Sequence, residues 1–120
     1  MTAPVGIPVQ SGSGNVANAA AVATMPAVLN STNYISGFEM TAAGATAGAV
    51  VVATVTGVLG GALSYIFTVP AGAALGAVPL IVEFSPSLPA SGTNTAIVVT
   101  LPALGAGNTN AASTVHGFRI

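Results

Sequence analysis

Residues 49–69, AVVVATVTGVLGGALSYIFTV, constrain the fold more than any other stretch. The run Val50 to Val58 is dense in β-branched side chains, which lose rotamer freedom in a helix and pack well on a pleated surface. The run Leu63 to Val69 carries Tyr65 and Phe67 two residues apart, so both rings point to one side of a strand. Between the runs, Gly60-Gly61 can adopt the positive φ angles that a tight hairpin turn needs. The pattern predicts two antiparallel strands. Val50, Val52, Thr54 and Thr56 fall on one face of the first, and Val51, Ala53 and Val55 on the other. One thin sheet cannot cover both faces in water. The hairpin is therefore either a central element of a sandwich or has one face covered by a neighbouring subunit.

The rest of the chain repeats the theme. Residues 1–14, MTAPVGIPVQSGSG, read as an extended N-terminal arm, because Pro4 and Pro8 disfavour helix and SGSG is flexible. Val5, Ile7 and Val9 are spaced by two along it, and the arm is either a frayed end or a strap on a neighbouring subunit. In residues 15–29 the alanine run favours helix, whereas Pro26 and the β-branched context favour a strand with Pro26 at an edge or bend. Asn30 to Asn33 is a turn cluster. Tyr34 to Thr41 alternates, with Tyr34, Phe38 and Met40 expected on one face and Ile35 and Glu39 on the other. Ala42 to Gly48 reads as a loop, and Pro70-Ala71-Gly72 and then Gly76 to Pro79 as breaks. Leu80 to Phe84 reads as a strand with Leu80, Val82 and Phe84 opposed to Ile81 and Glu83. Ser85 to Asn94 reads as the longest polar loop, and Thr95 to Leu101 as a strand buried on both faces. After a glycine-rich connection, Ala111 to Ile120 forms a last strand, with Val115 and Gly117 on one side and His116 and Phe118 on the other. Seven to eight antiparallel strands with turn chemistry between them predict an all-β single domain, a β-sandwich or jelly roll over residues 15–120.

Charge bounds the function. Glu39, Glu83 and Arg119 are the only formally charged side chains, 2% of the chain, against about 25% in ordinary soluble domains. A free monomer so poor in charge is prone to associate, which predicts that much of the surface is covered by other chains. One arginine cannot make the basic patch that nucleic acid requires. There is no cysteine for a disulfide or thiolate metal site. Residues 40–82 carry no charge, yet glycines interrupt them repeatedly, as do Pro70 and Pro79, and no Lys or Arg cluster flanks them. The expectation is no membrane span. Catalysis would have to rest on Glu39, Glu83 and His116, with no nucleophile–base motif beside them, so no enzyme, metal or cofactor is expected. For Arg119 the alternatives are a solvated end residue or an ion pair to Glu39 or Glu83, within the chain or between subunits.

Three segments carry a resemblance. SGNVANAAAVATMPAV, TNYISGFEMTAAGATAG and LPASGTNTAIVVTLPALGAGNTNAASTVHGFRI resemble a family of small tailed-bacteriophage and prophage virion proteins of the head-decoration or cement type. Its distinctive parts are Asn33-Tyr34-Ile35-Ser36-Gly37-Phe38-Glu39, Gly105-Ala106-Gly107-Asn108-Thr109-Asn110 and His116-Gly117-Phe118-Arg119. The resemblance implies a jelly-roll-like virion component, homotrimeric, bound to the capsid exterior through the major capsid protein. It brings no catalytic residue. Val5, Ile7, Val9, Glu39, Glu83 and Arg119 are the expected capsid or subunit contacts. The alternative is another virion part, such as a tail accessory or a fibre-tip receptor-binding module. Against the latter, Ala42–Gly48, Ser85–Asn94 and Ala103–Asn110 carry no aromatic residue for glycans. A small hydrolase is the third reading.

Overall fold

The computed structural model describes residues 6–72 and 79–120. Its strands are β1 (Ile7–Gly12), β2 (Ala21–Met25), β3 (Asn33–Ala42), β4 (Ala49–Thr56), β5 (Leu63–Val69), β6 (Leu80–Pro89), β7 (Ile97–Leu101) and β8 (Ala111–Arg119). They form two four-stranded sheets, β1-β8-β3-β6 and β2-β7-β4-β5. Every pairing is antiparallel: β1 with β8, β2 with β7, β3 with β6, and β4 with β5. First pairs with last, second with second-last, as in a long double ribbon rolled up on itself. The added pairs β3–β8 and β4–β7 join the layers of the roll into two sheets. This connectivity makes the sandwich a jelly roll. Among the described residues there is no helix long and apolar enough to cross a membrane.

Alternating side chains of both sheets meet in one core. Ile35, Phe38, Met40 and Val115 come from one sheet; Met25, Val55, Ile97, Val99 and Leu101 come from the other. The ring of Tyr65 reaches across the sandwich to meet Phe38 edge-on, with centroids 5.4 Å apart. β7 lies between β2 and β4, and its odd-numbered residues are buried while Val98 and Thr100 are half-buried. The alanine-rich stretch resolves as edge strand β2, with Pro26 directly after it.

Four details of the sequence reading need correction. The alternation over β3 breaks at Ser36, because the register with β8 steps from Ile35↔Gly117 to Gly37↔His116. This bulge puts Ile35, Phe38 and Met40 together in the core and leaves Tyr34 and Glu39 outside. The hairpin turn is wider than Gly60-Gly61: pairing ends at Val55↔Leu63, and Val58 leaves its partner strand to bridge Ala90. Gly57, at φ 87°, is the tightest point there, since a Cβ would overlap the carbonyl oxygen of Ala96. Third, Ser85 to Pro89 is not loop. It continues β6, re-pairing at Leu88 and Pro89 with Ile35 and Tyr34. Fourth, residues 7–12 of the expected arm are built into the sandwich as β1, paired along β8 from Ile7↔Arg119 to Gly12↔Thr114. Val5 and the break expected at residues 76–78 lie outside the described residues.

Candidate functional site

Two of the three distinctive segments turn out to be halves of one feature. Residues 33–39 lie on β3, residues 116–119 on β8, and they pair directly. Tyr34 and Phe118, opposite each other on the outward face, stack with centroids 4.9 Å apart and planes 4° from parallel. Pro8 lies opposite Phe118 on β1, and Pro89 opposite Tyr34 on β6, so a single row of rings crosses the whole sheet. Glycines make this packing possible. A Cβ on Gly6 would lie 2.6 Å from the Phe118 ring, and one on Gly117 would overlap the Tyr34 carbonyl oxygen. Gly37, next to the bulge, clears space in the same way: a Cβ there would sit 2.7 Å from the Val82 carbonyl oxygen and 3.1 Å from Cε1 and Nε2 of His116.

From that position His116 Nε2 donates to Glu39 Oε1 at 3.1 Å. The two side chains are 34% and 38% exposed, so water reaches both. The third residue considered for acid–base work, Glu83, lies on the same rung, opposite Gly37 on β6. Two strand spacings separate it from His116, about 10 Å at Cα. Among the described residues no three His, Cys, Asp or Glu gather as metal ligands. A half-exposed His–carboxylate bond across neighbouring strands is a register clasp of the kind that contributes a few tenths to about 1 kcal/mol.

Arg119 meets neither glutamate within the chain. Alternation along β8 places it with Val115 and Gly117 on the inward side, opposite the buried Asn33, whereas Glu39 and Glu83 point outward. The intrachain pairs between Arg119 and these glutamates are excluded by the two-residue period, and Glu39 hydrogen-bonds His116 instead. Of the expected contact residues, Ile7 is exposed at the start of β1, while Val9 is half-buried against the core. Glu83 is exposed on β6.

The third distinctive segment, Gly105 to Asn110, is structural. Asn108 is buried; its Nδ2 donates to the carbonyls of Ala43 (2.7 Å) and Asn110 (3.0 Å), and its Oδ1 accepts from Asn18 N (3.0 Å). Asn18 Oδ1 in turn accepts from Gly105 N. Two asparagines thus stand in for backbone and bind three loops at one end of the sandwich. Asn33 does the same at the other end, donating to the carbonyls of Met25, Pro26 and Thr95.

The two ends differ in chemistry. Among the described residues of the end lashed by Asn108, segments 13–20, 43–48 and 102–110 contain no exposed large apolar side chain. At the Asn33 end, which carries connections 26–32, 57–62 and 90–96, the start of β1 and Ile120, the residues Ile7, Leu29, Leu59 and Ile120 are all exposed. Main-chain bonds between Thr32 and Ile120, Asn94 and Ser31, Ser91 and Gly57, and Leu59 and Pro89 tie these segments together. These four aliphatic side chains share one end of the sandwich, where Arg119 is the one charged side chain among the described residues. Periodicity did not single out Leu29, Leu59 and Ile120, because each lies at a loop or chain end. No family model, curated protein or solved structure matches this chain.

Proposed function

We propose that the chain is a structural virion protein, a decoration or cement protein that binds the outside of a bacteriophage head through its major capsid protein and bridges capsomers. The observation that carries this reading is the exposure of Ile7, Leu29, Leu59 and Ile120 at one end of the sandwich. A monomer in water gains nothing from exposing four large aliphatic side chains at one end, whereas a docked one buries them. The near-absence of charge suits a molecule covered on several sides. The jelly roll is compatible with the role without requiring it. The alternatives, a tail accessory or a receptor-binding tip, draw less support. The half-buried Tyr34–Phe118 pair uses its ring faces on itself rather than presenting them to a glycan. In this reading no reaction is catalysed, no cofactor is held, and neither nucleic acid nor membrane is a partner. The copies assemble as the homotrimer that the resemblance implies.

The test is binding to purified capsids that lack the protein, read by co-sedimentation and by thermal rupture of the shell. Wild-type protein is expected to decorate the shell and raise its rupture temperature. The double variant Leu29→Asp with Leu59→Asp is expected to stay folded by circular dichroism and to leave the shell bare. Capsids with unchanged rupture temperature would sink the cement role; density elsewhere in intact virions would move the protein to the tail.

A further inference from the structure

The sandwich has four edge strands: β1 and β6 in one sheet, β2 and β5 in the other. An unpaired edge is a template for another chain, and proteins blunt such edges with proline, charge, bulges or brevity. Three of the four are blunted here. β1 carries Pro8; β6 carries Glu83, Pro86, Pro89 and a break in register; β2 is five residues long, is followed directly by Pro26 and packs against β1 at the side of the sandwich. β5 is different. Its seven residues, LSYIFTV, contain no proline and no charge, and its register with β4 runs unbroken from Ala49↔Val69 to Val55↔Leu63. No strand among the described residues pairs with its outer edge.

The side chains of β5 are complementary to those of a second, antiparallel β5. Full-length pairing about a twofold axis centres on Ile66. It sets Ile66 opposite Ile66 of the second copy, Ser64 opposite Thr68, Tyr65 opposite Phe67 and Leu63 opposite Val69. On the outward face, Ile66 (74% exposed) stands beside Val52 (48%), with Val50 (70%) one rung away. The twofold would continue this row as Val52–Ile66–Ile66–Val52, with hydroxyl pairs on either side and no charge to repel. On the inward face, the exposure of β5 is lopsided: Leu63 and Tyr65 are half-buried, Phe67 and Val69 buried. Antiparallel pairing lays each half-exposed half against the buried half of its neighbour, extending both cores. Unlike a shell protein, a second copy supplies this match by symmetry alone.

From these observations we infer that β5 is a self-association edge, through which two copies join their β2-β7-β4-β5 sheets into one continuous eight-stranded sheet. The contact is twofold, so it cannot close a threefold ring. It makes even-numbered assemblies: a dimer, or a pair of trimers where a threefold contact also forms. It does not depend on what the end carrying Leu29 and Leu59 binds.

The absence of cysteine makes the test clean. Residues directly opposite on antiparallel strands have Cβ atoms about 4.5–5.5 Å apart, close to disulfide reach. Under mild oxidation Ile66→Cys should yield a disulfide-linked dimer, while Ser64→Cys and Thr68→Cys should each stay unlinked alone and cross-link when mixed. Sedimentation of the unmodified protein should give an even number of copies. Ile66→Lys, at an exposed site where folding is unaffected, should raise the dissociation constant at least about tenfold by setting like charges opposite each other. An unlinked Ile66→Cys variant would overturn the inference. So would equal self-linking of Ser64→Cys, which would indicate pairing in another register, or a trimer or monomer whose mass is unmoved by Ile66→Lys.

Discussion

Replacing Asn108 tests whether the 105–110 segment is held by hydrogen bonds or by shape. Its side chain is buried and makes three bonds to main-chain groups of Ala43, Asn110 and Asn18, at 2.7, 3.0 and 3.0 Å. Asn108→Ala removes all three, at about 1 kcal/mol each, or about 3 kcal/mol in total. For a chain of this size that corresponds to a melting temperature lower by roughly 10 °C. Asn108→Asp separates the two explanations. It keeps the shape but turns the donor aimed at two carbonyl oxygens into an acceptor, so it should destabilise at least as much as alanine. The folded state would raise the pKa of that new carboxyl, since only its protonated form can donate to those carbonyls. The deficit should therefore be full at neutral pH and shrink as pH falls through the carboxylate range. Chemical denaturation of the three proteins at pH 7 and pH 4 measures this. If both variants lie within about 1 kcal/mol of wild type, the hydrogen-bond account is refuted.

Two further outcomes are expected from the sheet that carries the ring row. Gly117→Ala should cost at least about 3 kcal/mol or abolish folding, because its Cβ meets the main chain of Tyr34 and Ile35, which cannot yield without parting β3 from β8. Gly12→Ala on β1, whose nearest neighbours would be 3.7 Å from a Cβ, should be neutral within about 1 kcal/mol, and equal melting points for the two variants would discredit the packing argument. Breaking the His116–Glu39 bond by Glu39→Gln should change stability by less than about 1 kcal/mol. A loss of several kcal/mol in urea denaturation would show that the pair does more than clasp two strands.

Local chemistry was enough to locate most strands. The β-branched runs around Val50–Val55 and Ile97–Leu101, and the turn residues between runs, specify extended structure because strand preference and turn geometry act over a few residues. Alternation also assigned Leu80, Val82 and Phe84 to one face of β6, since no bulge interrupts that stretch. It failed over β3, where one unpaired residue at Ser36 inverts every face assignment on one side of it. A bulge is a property of two strands, and a single segment does not display it. The same limit explains Ser85 to Pro89, whose prolines read as loop but are tolerated on an edge strand.

The sequence by itself determined the class: a charge-poor, cysteine-free, all-β chain whose hairpin faces are both apolar and call for cover on both sides. Only the tertiary structure decided how that cover is shared. Val51, Ala53 and Val55 belong to the sandwich core, while Val50 and Val52 remain outside beside Ile66. It also decided that Glu39 meets His116 rather than Arg119, and that four separated aliphatic residues share one end. The physical reason is range. Strand preference and alternation are encoded within a few neighbouring residues, whereas register, edges and ends arise from pairings such as β1 with β8, between residues about as far apart as the chain allows.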